Sequence, residues 1–159
     1  MINVTIIAVG KLKESYLRDG CLEYIKRLGA YAKTQIIEIS EEKCPDNPSE
    51  NQIKAVIQKE GERILKKIPA GAAVFPLCIE GREYSSSDFS SLIENTSMSN
   101  SRICFVIGGS YGLDDKVKEM GKIKLSFGKM TLPHQLARLV LLEQIYRAFS
   151  IINNSKYHK

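Results

Sequence analysis

Residues 102–107, Arg-Ile-Cys-Phe-Val-Ile, are apolar at five consecutive positions, where a strand with one wet face would alternate. A strand with no polar face is buried on both sides, which places it at the centre of a parallel sheet covered by helices. The rest of the chain supplies the parts such a sheet requires. Strand-like runs at 2–9, 34–39, 73–79 and 122–127 alternate with helical periods at 14–28, 50–67, 86–97, 112–120 and 134–152. This alternation predicts an α/β fold: a mainly parallel sheet with helices on both faces. Ser49 and the Ser85–Asp88 cluster are expected to cap helices, and Glu80-Gly81 to turn the chain after the third strand. At 159 residues, a single domain over 1–159 buries a core without disulfide or metal staples.

Composition narrows the function classes. No run approaches the ~20 uncharged apolar residues of a membrane span, and Met1–Gly10 lacks the basic flank and cleavage site of a signal peptide. The expectation is a cytoplasmic protein without membrane contact. Cys21, Cys44, Cys78 and Cys104 form no C-x-x-C pair, so all four are expected to be reduced and no metal is expected. The net charge of +5 divides unevenly, with +3 over residues 1–33, −4 over 34–100 and +6 over 101–159. If the two ends meet in the fold they form a basic face suited to a polyanion such as RNA; a solvated lysine-rich surface would give the same count.

The last helical segment is apolar nearly all round its axis, through Leu136, Leu139, Val140, Leu141, Leu142, Ile145, Tyr146, Phe149 and Ile152. One sheet covers one side of a helix, so a second subunit is expected on the other, in a homodimer.

Two loops stand where an open α/β sheet binds ligands, beyond the carboxyl ends of its strands. Ile107-Gly-Gly-Ser-Tyr-Gly112 follows the central strand, and its spacing fits neither the dinucleotide fingerprint nor the P-loop. A glycine cluster there is a ligand loop or a plain tight turn. Leu125-Ser-Phe-Gly-Lys-Met-Thr-Leu-Pro-His-Gln135 leads into the last helix, with Pro133 suited to its start. Together the loops suit a flat uncharged heterocycle such as adenine, held by backbone hydrogen bonds and apolar contact. His134, in the first helical turn, is a proton acceptor in its neutral form or a structural histidine. Arg138, one turn on, could hold a phosphate or a base carbonyl, while Glu143 and Arg147 have the spacing of a structural ion pair.

Five segments in order carry a resemblance over essentially the whole chain: AVGKLK from Ala8, IGGS-x-G from Ile107, MT-L-PHQ from Met130, R-x-x-x-x-EQ-x-YRA from Arg138, and the closing YHK. In this combination the chain resembles the RlmH family, the SPOUT-class methyltransferases of large-subunit (23S) ribosomal RNA. The resemblance implies a trefoil knot in the C-terminal part, about 73–159, a topology that periodicity cannot reveal. It further implies a homodimer that methylates N3 of a pseudouridine in the assembled ribosome, with S-adenosyl-L-methionine as donor. The donor would be held by Leu77, Gly108 and the loop Phe127, Gly128, Lys129, Met130, Thr131 and Leu132. The tail 153–159 would close over the donor site, Tyr157 offering a stacking face, His158 a titratable group, and Lys156 and Lys159 phosphate contacts. The sequence departs from the family pattern at Tyr111, where a small polar residue is expected, and at Gly128, where Ser is common. The competing expectations are a SPOUT methyltransferase acting on transfer RNA and a non-catalytic RNA-binding module.

Overall fold

The computed structural model describes residues 1–121 and 123–159. In chain order the elements are β1 (Ile2–Val9), α1 (Ser15–Leu28), β2 (Ala32–Ile39), α2 (Glu50–Leu65), β3 (Ala73–Glu83), α3 (Ser86–Ser99), β4 (Arg102–Ile107), α4 (Asp115–Lys118), β5 (Leu125–Ser126) and α5 (His134–Ile152). The sheet has the order β2-β1-β4-β3-β5, and every pairing is parallel. β4 lies at its centre, as its unbroken apolar run requires.

The pleat divides each central strand between two cores. β4 sends Ile103, Phe105 and Ile107 to one face and Cys104 and Val106 to the other; β1 does the same with Val4, Ile6 and Ala8 against Ile7 and Val9. On the first face lie Cys21 and Leu28 of α1, Phe89 and Ile93 of α3, and Leu141, Leu142 and Ile145 of α5. On the second lie Ile64 of α2 and Val117 of α4. All four cysteines are free. Burial pushes the Cys104 thiol up to about 12, so it behaves as a small apolar group.

Local signals set the helix starts. Ser49 and Gln52 exchange the two hydrogen bonds of a capping box, at 2.8 and 3.2 Å, and the Ser85 hydroxyl accepts from the Asp88 amide at 3.0 Å.

Two expectations need correction. Glu80-Gly81 is not a turn: β3 runs through it to Glu83, with a register irregularity against β5 between Leu77 and Arg82. Gly81 is there because the chain returns close beside it. A Cβ at this position would stand 2.7 Å from the Lys124 carbonyl oxygen, and the Arg82 amide donates to that same oxygen at 2.8 Å. The strand expected at 122–127 is reduced to Leu125–Ser126, and Lys122 lies outside the described residues.

Much of the last helix is covered within one chain. α5 lies between α1 and α3 with the sheet beneath, and no residue from His134 to Ile152 is exposed. Its all-round apolarity is therefore met largely within one chain, leaving a half-buried outer stripe that includes Leu136, Val140, Gln144 and Ile151. Packing of α1 on α5 also brings the two basic ends of the sequence together.

Gly81→Ala is expected to lower stability by about 1–3 kcal/mol in urea unfolding, because the methyl collides with backbone that cannot turn aside. An unchanged midpoint would show that the close approach is not enforced.

Candidate functional site

A cavity of about 730 Å³ opens beside the middle of β3, beyond the ends of β4 and β5 and at the start of α5. The glycine loop after β4 forms one wall. A Cβ on Gly108 would lie 2.8 Å from the Gly112 backbone, Gly112 takes the left-handed φ of +88°, and its amide donates to the Gly109 carbonyl at 3.1 Å. The loop closes tightly on itself and presents backbone to the cavity.

The facing wall is the loop after β5. Ser126, buried, donates its hydroxyl to the Ile79 carbonyl of β3 at 3.0 Å and accepts from the Gly128 amide at 3.1 Å. This one hydroxyl ties the loop to the neighbouring strand, a role that the sequence reading missed. A small hydroxyl residue two positions before a glycine was the available signal. Gly128 sits at φ +120°, where the serine common in the resembled family would be strained, so glycine suits this backbone.

Of the expected donor-binding residues, Leu77 and Gly108 line the cavity, as do Phe127, Gly128, Met130, Thr131 and Leu132. Lys129 does not, and is exposed to solvent. The walls combine apolar side chains such as Leu77, Ile107 and Leu125 with backbone polar groups, a lining suited to a flat heterocycle rather than a polyphosphate. At the rim Lys118 Nζ lies 2.6 Å from Glu80 Oε1. That hydrogen bond holds the Glu80 carboxyl below its ordinary range and raises the Lys118 ammonium. Tyr111 also stands at the rim, where hydrogen bonding with Cys44 raises its phenol. Among the described residues no group of three His, Cys, Asp or Glu side chains is arranged to hold a metal ion, and no helix is long and apolar enough to cross a membrane.

The expected catalytic residues separate. His134 lines the cavity at the start of α5. Arg138 does not face it: the side chain is 2 % exposed, with NH1 on Glu38 Oε2 at 2.8 Å and NH2 donating to the Gly10 carbonyl at 3.1 Å. The expectation that Arg138 holds a phosphate or base carbonyl is therefore corrected; it clamps the ends of β1 and β2 to α5. The Glu143–Arg147 ion pair forms as expected, at 2.6 Å.

Tyr157 and His158 are bound by that pair instead of by the cavity. The Tyr157 hydroxyl donates to Glu143 Oε1 at 3.0 Å, its ring meets Tyr146 edge-on at 4.8 Å, and the Arg147 guanidinium lies 4.7 Å from its centroid. Hydrogen bonding with Tyr24, burial and Glu143 together raise its phenol well above the usual range. His158 Nδ1 is 3.2 Å from Arg147 NH1. Arg147 is thirteen residues beyond His134, about 20 Å along the axis. Within one chain the tail therefore does not reach the cavity.

Comparison with known proteins places this geometry. The family model described as "Predicted SPOUT methyltransferase" matches residues 2–158. A protein of Bacillus pumilus (strain SAFR-032) named "Ribosomal RNA large subunit methyltransferase H" is 52% identical over 159 residues, covering 99% of this chain and 100% of that one. A protein of the same name from Streptococcus thermophilus (strain ATCC BAA-491 / LMD-9) has the same identity and coverage. Among solved structures, a probable methylase family protein from Haemophilus influenzae Rd KW20 has a TM-score of 0.57 at 15% identity, over 98% of this chain and 68% of that one. A putative methyltransferase from Legionella pneumophila, solved with bound cofactor SAM, has a TM-score of 0.50 at 11% identity, over 92% and 66%. These two share the fold. The match to the family model over nearly every residue, with relatives at 52% identity from end to end, establishes that the chain belongs to the SPOUT methyltransferase family.

Proposed function

We propose that this protein transfers the methyl group of S-adenosyl-L-methionine to N3 of a pseudouridine in large-subunit ribosomal RNA, acting as a cytoplasmic homodimer on the assembled ribosome. The observation that carries the reading is the cavity between the Gly108 and Phe127–Leu132 loops, in a chain whose full-length relatives bear the name of a ribosomal RNA methyltransferase. The cavity fits the donor: its volume suits a small molecule, and Gly108 lets the loop after β4 close on itself, where a Cβ would collide with Gly112, so that the loop lines the wall. Leu77, Gly108 and the loop Phe127 to Leu132, Lys129 at its outer side, would hold it. We read the passage of the chain through this region as the trefoil knot of the family.

When bound, the donor supplies an electrophilic methyl on a sulfonium. The remaining requirement is a group to take the proton that an imide N3 carries at neutral pH. His134 is the titratable imidazole on the cavity wall, and it accepts that proton at a ring nitrogen. Arg138, buried behind it, is a positioning residue that fixes Gly10 relative to α5. Tyr157 and His158 are seated about 20 Å along α5 from His134 of their own chain, so in the homodimer they act on the cavity of the second subunit. Lys156 and Lys159 are exposed and extend that tail toward phosphates.

Incubation with labelled donor and, in turn, ribosomes, free ribosomal RNA and transfer RNA is expected to label ribosomes only. Label confined to transfer RNA would overturn the substrate assignment. His134→Ala is expected to slow methyl transfer at least about a hundredfold while retaining donor binding; a wild-type rate would remove His134 from proton transfer. Deletion of residues 155–159 is expected to leave a folded protein without activity. Mixed dimers of the deletion with His134→Ala should recover activity at one site, since the intact cavity then receives an intact tail. No recovery would mean that the tail does not act between subunits.

A further inference from the structure

Beside the donor cavity, on the β1–β2 side of His134, lies a second small constellation. Gly10, directly after β1, takes φ +89°, a conformation that side-chain-bearing residues rarely adopt. Two hydrogen bonds hold Gly10 itself, and a third ties the following segment to α5. The Gly10 amide donates to Ile39 O at 2.8 Å, its carbonyl accepts from Arg138 at 3.1 Å, and the nearby Lys13 amide donates to Gln135 Oε1 at 2.9 Å. A side chain at position 10 would enter the space between two polar groups: His134 Nε2 stands 3.6 Å, and Glu41 Oε2 3.9 Å, from where its Cβ would be. Among the described residues neither His134 nor Glu41 makes an ion pair or side-chain hydrogen bond.

The placement of Glu41 is over-determined. On one side, the Ser40 carbonyl accepts from Arg63 NH1 at 3.0 Å. On the other, the Glu42 amide donates to Glu60 Oε2 at 3.0 Å, and the Glu42 carboxylate pairs with Arg63 and with Lys59. Glu60, 3 % exposed on α2, is thereby committed to holding this loop. The result is an exposed carboxylate aimed over Gly10 next to two others, Glu42 and Glu60, whose charges oppose it. Burial, with Glu41 adding to the effect, raises the Glu60 carboxyl. Among the described residues the fold gains no hydrogen bond or ion pair from Glu41 to offset that repulsion.

We propose that Gly10, Glu41 and His134 form the acceptor-base subsite, and that Glu41 is the residue that distinguishes pseudouridine from uridine. The inference rests on the pseudouridine acceptor proposed above. Pseudouridine is joined to its ribose through carbon, so its ring carries two N–H groups, at N1 and N3; in uridine N1 bears the sugar and has no proton. With the ring laid on the bare backbone of Gly10 and its N3 edge toward His134 and the donor cavity, the N1–H is left for the Glu41 carboxylate to accept. Uridine in the same place offers that carboxylate no donor, and a polar group deprived of its partner costs binding. Because Glu41 is partly open to water, the discrimination is set at tenfold to a hundredfold, on the order of magnitude of one charge-assisted hydrogen bond.

The test compares methylation of ribosomes carrying pseudouridine or uridine at the target position, by wild type, Glu41→Ala, Glu41→Gln and Gly10→Ala, with donor affinity measured by calorimetry for each. Wild type should prefer pseudouridine by about tenfold to a hundredfold in kcat/KM. Glu41→Ala should abolish the preference, Glu41→Gln should retain part of it, and both should bind the donor as wild type does. Gly10→Ala should slow both substrates without changing donor affinity. A Glu41→Ala enzyme that keeps the preference, or that loses donor affinity in step with activity, would overturn the assignment. Equal wild-type rates on the two ribosomes would also overturn it, while leaving the ribosomal RNA reading intact. Failure of wild type to label any ribosomal RNA would overturn both.

Discussion

The contact on which the site depends is backbone against backbone: the chain before β5 lies so close to β3 that only glycine fits at position 81. The Arg82 amide, bonded to Lys124 O, sets the register there, and two residues further on the Ser126 hydroxyl, bonded to Ile79 O, adds a second tie. A strand of two residues could not hold its place by ladder hydrogen bonds alone. These two ties compensate, and they fix the loop 127–132 opposite the Gly108 loop across the cavity. The glycine at 81 is thus as much part of the site as the glycines that line it.

α5 joins the parts of the molecule. Its first turn carries His134 on the cavity wall and its second buries Arg138 against Glu38 and Gly10. The middle fills the core with Leu141, Leu142 and Ile145, and the far end anchors the tail through Glu143 and Arg147. A rigid helix relates all four by fixed distances. Displacement of its N-terminus would move His134 and Gly10 together, because Arg138 links them.

The parts of this structure written in local sequence were legible. β4 announced its central place by five consecutive apolar residues and Ser49 announced a helix start, while the glycines after Ile107 left a ligand loop and a tight turn both open. What was not legible depended on distant chain. Gly81 reads as a turn until Lys124 is seen beside it, and Arg138 reads as a phosphate ligand until Glu38, one hundred residues earlier, is found to hold it. Nor does the sequence show that α1 and α3 both pack on α5 and cover much of its all-round apolar face. The tail carried the same difficulty: its aromatic and titratable residues were recognisable, but their seat on Glu143 and Arg147 was not.

The chemistry proposed needs little from the protein beyond shape, a proton acceptor and the exclusion of misplaced water, which suits a cavity built from backbone and apolar side chains. Its central claim is that the cleft between the two loops is a donor site. The most direct measurement is a calorimetric titration of the wild-type protein with S-adenosyl-L-methionine. The account predicts saturable heat, with a negative heat-capacity change as apolar surface in the cleft is buried. A flat titration at millimolar donor would contradict it.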